Sequence, residues 1–189
     1  MDPELQEITL RVLSYPAALL VAFVVLKLRK RPLLEFFGLD ALPTAAQAKV
    51  YLLGYIPIFI ACELFYYGLS LNEGRIWDHS TLVTAIKAVG IILLAPIAEE
   101  LIFRGVLYKA VSDLIKNDFV TIFAITIIFT SVHFQYGILN LLTIFISTLY
   151  WTWVRYKTGS TVLPVIMHMF NNTISVLEAV WINKMLEGG

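Results

Sequence analysis

The sequence predicts an all-α, polytopic membrane helix bundle. Three observations carry this expectation. Apolar residues make up 59% of the 189-residue chain and charged residues 15%, against about 45–50% and about 25% in soluble domains. Apolar tracts recur at about the length needed to cross a ~30 Å hydrocarbon core. Lys and Arg gather in alternate loops. The tracts, at roughly 8–28, 50–71, 82–104, 119–136, 138–154 and 161–182, give about six transmembrane helices. Residues 1–189 are read as one integral membrane domain, with its chemistry in a core at about 82–182.

Met1-Asp2-Pro3-Glu4 is acidic and lacks a positive n-region, so the first tract reads as a retained span and not a cleaved signal. A basic stretch follows, with Lys27, Arg29, Lys30, Arg31 and then Lys49. The second tract carries Glu63 and Cys62, the single cysteine, which excludes an internal disulfide. Glu63 is expected to line a cavity or to pair with Arg11 or Lys87. The third tract continues its helical pattern to about Leu114, roughly 33 residues or ~50 Å. Such a helix must tilt, kink or leave the membrane, and Pro96 is placed to kink it.

Lys109 with Lys116, and Arg155 with Lys157, fall on the same side as the first basic stretch, whereas Arg75 and Lys184 lie opposite. The positive-inside rule then puts both termini outside the cytoplasm. Trp151, Trp153 and Tyr156 read as an interfacial belt, with Trp77 and Trp181 as counterparts at the other face. The formal net charge is zero, so no basic surface suggests a nucleic-acid partner.

Ionisable groups at membrane depth cost several kcal/mol each and mark functional sites. The third tract holds Glu99, Glu100 and Arg104. At 100° per residue Glu100 and Arg104 share a helix face, while Glu99 points elsewhere. Glu100 is therefore expected to pair with Arg104, leaving Glu99 to face a cavity and accept a proton; a purely structural ion network is the alternative. Of the three histidines, His79 lies in a polar loop, whereas His133 and His168 interrupt apolar tracts. His168 and Asn172, four apart on one face, can both aim N–H donors at one point, as an oxyanion hole requires. Pro164 stands four residues before His168 and is expected either to free backbone groups for a wet pocket or to be an ordinary tolerated proline. No bound cofactor is expected, with zinc held by Glu99, His133 and His168 as the alternative. The usual metalloprotease spacing of two histidines on one helical turn is absent. With the spans drawn as straight rods, His133 falls near the outer end of the fourth and away from Glu99.

Glu99-Glu100-x-x-x-Arg104, Phe129-x-x-x-His133 and His168-x-x-x-Asn172, in that order, resemble the motifs of the CAAX protease and bacteriocin-processing enzyme (Abi) family. The resemblance covers about residues 82–182. It implies an intramembrane endopeptidase that uses glutamate-activated water: Glu99 as base, His133 positioning the water, His168 and Asn172 stabilising the oxyanion, Glu100 and Arg104 in support. It also implies a peptide or protein substrate at the bilayer, either prenylated or, for a member in a bacterial cell membrane, linked to bacteriocin maturation or self-immunity. The rival expectations are a non-catalytic immunity or scaffold protein of this fold and a proton-coupled transporter. The absence of an inverted repeat weighs against the transporter.

Overall fold

A computed structural model of the chain describes residues 3–69 and 80–187, and every regular element among them is helical. Arg75, Trp77 and His79 lie outside the described residues, as do the side chains of Trp181 and Lys184. The helices are α1 (Pro3–Leu28), α2 (Leu33–Phe37), α3 (Ala45–Leu69), α4 (Thr81–Ile115), α5 (Asp118–Ser131), α6 (Ile138–Thr158) and α7 (Val162–Glu187). Their outward faces are apolar: Leu10, Leu13, Leu20 and Val21 of α1 and Leu53 and Leu64 of α3 are all more than half exposed. Contiguous apolar surface of this extent is what a bilayer solvates and water does not.

Among the described residues four helices, α1, α3, α4 and α6, are long and apolar enough by themselves to cross a membrane, and with α5 and α7 packed among them they make the all-α membrane bundle the sequence predicts. The tract at 119–136 forms a helix of only 14 residues, about 21 Å of rise. It stops at Ser131 because the chain turns there, with the His133 N–H donating to the Thr130 carbonyl and the Tyr136 N–H to that of His133. Val132, Phe134 and Tyr136 kept the apolar pattern running past the helix end. The last tract is a helix of 26 residues, but His168, Asn171, Asn172 and Thr173 dilute its apolar character.

α4 is the central element. The long third helix expected from the sequence is present, at 35 residues, and its hydrogen-bond register changes on both sides of Pro96. Gly90–Leu94 and Leu101–Leu107 are π-helical, and the six residues Ala95–Glu100 between them are α-helical. Such wide turns are rare and tend to accompany functional sites. α1 approaches α4 at Gly90, where a Cβ would meet Val12 Cγ2 at 2.6 Å. α2 lies against Gly105, where a Cβ would meet the Phe37 backbone at 2.9 Å. On the other side Tyr55 of α3, Trp151 and Val154 of α6, and Leu163 and Met167 of α7 share one buried core. Tyr108 of α4 packs with Ile122 and Ile125 of α5 in another.

The basic loops gather at one end of the bundle. Lys109 of α4 bridges to Glu35 of α2 at 3.0 Å. Thr161, in the α6–α7 turn, donates its hydroxyl to the Phe37 carbonyl at 2.8 Å. Arg155 Nε donates to the Arg104 carbonyl at 2.8 Å. Gly38 ends α2 with φ of +65°, a conformation that favours glycine, and a Cβ there would also displace the Arg155 guanidinium, 2.9 Å away.

Candidate active site

Glu99 and Glu100 occupy the last α-helical turn of α4 before its second wide segment. Glu100 is fully buried, and an ionised carboxylate there requires compensation. Its Oε1 accepts from Arg104 Nη1 at 2.9 Å and from His168 Nδ1 at 2.9 Å. Arg104, also fully buried, donates Nε to Thr152 Oγ1 at 3.3 Å and lies over the Phe129 ring at 4.1 Å. The pairing expected between Glu100 and Arg104 is present, and α7 adds a third member to it.

His168 is held on three sides. Glu100 takes its Nδ1–H, the Trp151 ring stacks on it at 4.8 Å between centroids, and Phe129 meets it edge-on at 6.0 Å. The role expected for Trp151 therefore needs correction: it is 3% exposed, part of the core beside His168 and not an interfacial anchor. Trp153 and Tyr156, at 37% and 39% exposure, retain surface positions.

Glu99 remains partly exposed, with 22% of its side chain accessible. His133 Nε2 lies 4.0 Å and His168 Nε2 3.9 Å from its Oε2. His133 Nδ1 is 2.7 Å from the Phe129 carbonyl. A carbonyl only accepts, so Nδ1 carries the hydrogen, and in the neutral ring Nε2 presents a lone pair. Both separations from Glu99 exceed direct hydrogen-bond length and suit a bridging water.

The expected mismatch in depth between His133 and Glu99 is thus overturned. α4 and α5 form a tight hairpin about Lys116, whose φ of +53° makes the turn. Glu99 and His133 stand equally far along the chain from that residue, so the arms of the hairpin carry them to the same level. The apparent discrepancy came from drawing the spans as straight rods, without the turn at Lys116 that sets α4 and α5 side by side.

Asn172 also approaches α4, but differently from the expectation. Its Nδ2 donates one of its two hydrogens to the Ile91 carbonyl at 2.8 Å. Pro164 frees nothing for a pocket. It lies in the first turn of α7, where backbone N–H groups lack intrahelical acceptors in any case. Tyr55, which the sequence did not single out, donates toward Ser147 Oγ at 3.2 Å and Asn171 Oδ1 at 3.1 Å, tying α3 to α6 and α7 behind Trp151. Of the alternatives for Glu63, Arg11 forms an exposed pair with Glu7 at 3.3 Å. Among the described residues no group of three or more His, Cys, Asp or Glu side chains is arranged to hold a metal ion.

His133, just beyond α5, and His168 of α7 thus approach the partly open Glu99 carboxylate, with Glu100 and Arg104 buried behind His168 and Asn172, one turn along α7, bound to the α4 backbone at Ile91. A group of this composition can deprotonate a water and donate hydrogen bonds to a developing oxyanion. The sequence model described as type II CAAX prenyl endopeptidase Rce1-like matches residues 80–174, a stretch that includes all six side chains. No curated protein and no solved structure matches the chain.

Proposed function

The chain belongs to the Rce1-like family of type II CAAX prenyl endopeptidases, and on that premise we propose an intramembrane endopeptidase whose Glu99 activates the attacking water. Its substrate is a membrane-associated or lipid-modified peptide or protein. The observation that carries this reading is the convergence of His133 Nε2 and His168 Nε2 on Glu99 Oε2, at 4.0 and 3.9 Å.

Glu99 removes a proton from water as the water oxygen attacks the scissile carbonyl carbon. His133, whose Nδ1–H is committed to the Phe129 carbonyl, accepts the second water hydrogen at Nε2 and so orients the oxygen lone pair. His168 gives its Nδ1–H to Glu100. To donate from Nε2 to the oxyanion it must carry a second proton, and a cationic ring suits a position between the Glu100 carboxylate and the Trp151 face. Two carboxylates are then balanced by Arg104 and His168, which a buried site favours. Asn172 supplies its remaining N–H. As the C–N bond breaks, Glu99 returns its proton to the leaving nitrogen, giving a carboxylic acid and an amine.

Purified protein in detergent should cleave a fluorogenic farnesylated CAAX peptide. Glu99→Gln, His133→Ala and His168→Ala should each lower kcat about 10²-fold or more. Wild-type turnover by Glu99→Gln overturns the proposal. Chelators should leave turnover intact; loss restored by zinc would assign Glu99, His133 and His168 to a metal instead. A protein that cleaves nothing, keeps its phenotype as Glu99→Gln and shows no pH-driven uptake in liposomes is a scaffold, whereas uptake marks a transporter.

A further inference from the structure

Pro96 has no part in the chemistry above, yet it is buried one helical turn before Glu99 and Glu100. The backbone around it explains why Asn172 has the partner it has. In an α-helical register the Ala95 N–H would donate to the Ile91 carbonyl; here it donates to Gly90, five residues back. In that wider register the donor due to Ile91 is residue 96, and proline has no N–H to give. The Ile91 carbonyl is thereby released from the helix ladder. A carbonyl freed inside a membrane helix must find a donor, and this half-buried one takes Asn172 Nδ2 at 2.8 Å.

We propose that Pro96 is a positioning residue for Asn172, acting by withholding the N–H that would otherwise occupy the Ile91 carbonyl. This inference rests on the endopeptidase reading and deepens it. Because the Ile91 oxygen can only accept, it fixes which end of the Asn172 amide faces α4. The NH₂ group lies on that side, with one hydrogen on Ile91 and the other left for the site. Asn172 follows His168 by one helical turn, so α4 holds both donors of α7: Glu100 through the His168 Nδ1–H, and Ile91 through the Asn172 amide. Without the Ile91 contact the amide would be free to rotate and present Oδ1, an acceptor, to the developing negative charge.

The test compares Pro96→Ala, Asn172→Ala and the double variant, full length in detergent, on the farnesylated CAAX reporter peptide. Alanine restores the N–H at 96 and favours a helix. Pro96→Ala should therefore unfold no lower than wild type, while kcat falls about tenfold or more with KM little changed. The double variant should be no slower than Asn172→Ala alone, since both changes remove one contact. Pro57→Ala, a proline of α3 on an exposed position, serves as the control and should keep wild-type kcat. If Pro96→Ala does not fold, Pro96→Ser restores the same N–H and replaces it. Wild-type kcat in the position-96 variant, or losses that multiply in the double variant, overturns the inference. Retained turnover in Glu99→Gln would instead overturn the endopeptidase reading beneath it, so the two failures are distinct.

Discussion

Glu99 and Glu100 are neighbours in the chain with opposite surroundings: one is partly exposed, and the other is sealed between Arg104 and His168. That they diverge was legible, because adjacent helical residues point about 100° apart, and the four-residue spacing to Arg104 named one partner. That His168 would be the other was not, since 68 positions separate it from Glu100 and only packing of α7 on α4 brings them together. Glu100→Gln should cost more than activity. It leaves the Arg104 guanidinium buried without its counter-charge, and breaking such a pair typically costs about 3–5 kcal/mol, visible as a lower melting temperature in detergent. Trp151 was misread for a related reason: beside Arg155 in the sequence it looks interfacial, whereas its ring faces His168. Trp151→Phe keeps an aromatic face on His168 and should retain most turnover. Trp151→Ala should lose about tenfold in kcat, a loss of roughly 1.4 kcal/mol in transition-state stabilisation.

Among the elements, α4 was the most legible and α5 the least. A long apolar pattern with an internal proline predicts an extended, irregular helix, but hydropathy cannot distinguish a kink from two wide turns, because both keep side chains apolar on the outside. The end of α5 was hidden because Val132, Phe134 and Tyr136 continue the apolar pattern through a turn. The second wide segment of α4 carries a further test. At Gly105 an added methyl would meet Phe36 and Phe37 backbone at 2.9–3.0 Å, and backbone does not yield cheaply. Gly105→Ala should therefore destabilise the fold by about 1–3 kcal/mol and loosen α2, measured by thermal unfolding and by proteolysis within 29–44. Gly68→Ala, in α3 with nothing within 4 Å of the added Cβ, should melt no lower than wild type.

For the whole molecule, alternate loops rich in Lys and Arg were readable as one face, and contacts such as Lys109 to Glu35 bring those loops together. With Cys62 replaced by Ser, single cysteines at Lys30, Lys116 and Lys157 should react with a membrane-impermeant maleimide from the same side of sealed vesicles. Labelling from opposite sides would refute that arrangement. The match in depth between Glu99 and His133 has a consequence of another kind. Each lies the same number of residues from Lys116, so the α4–α5 hairpin works as a two-armed ruler whose arms must stay equal. Residues added at the bend lengthen neither arm and should be tolerated. One residue inserted within a single arm, between 105 and 115 or between 118 and 128, turns everything beyond it by about 100° and shifts it by about 1.5 Å. Chain length in these two stretches is therefore as much a determinant of the site as the identity of the residues that meet there.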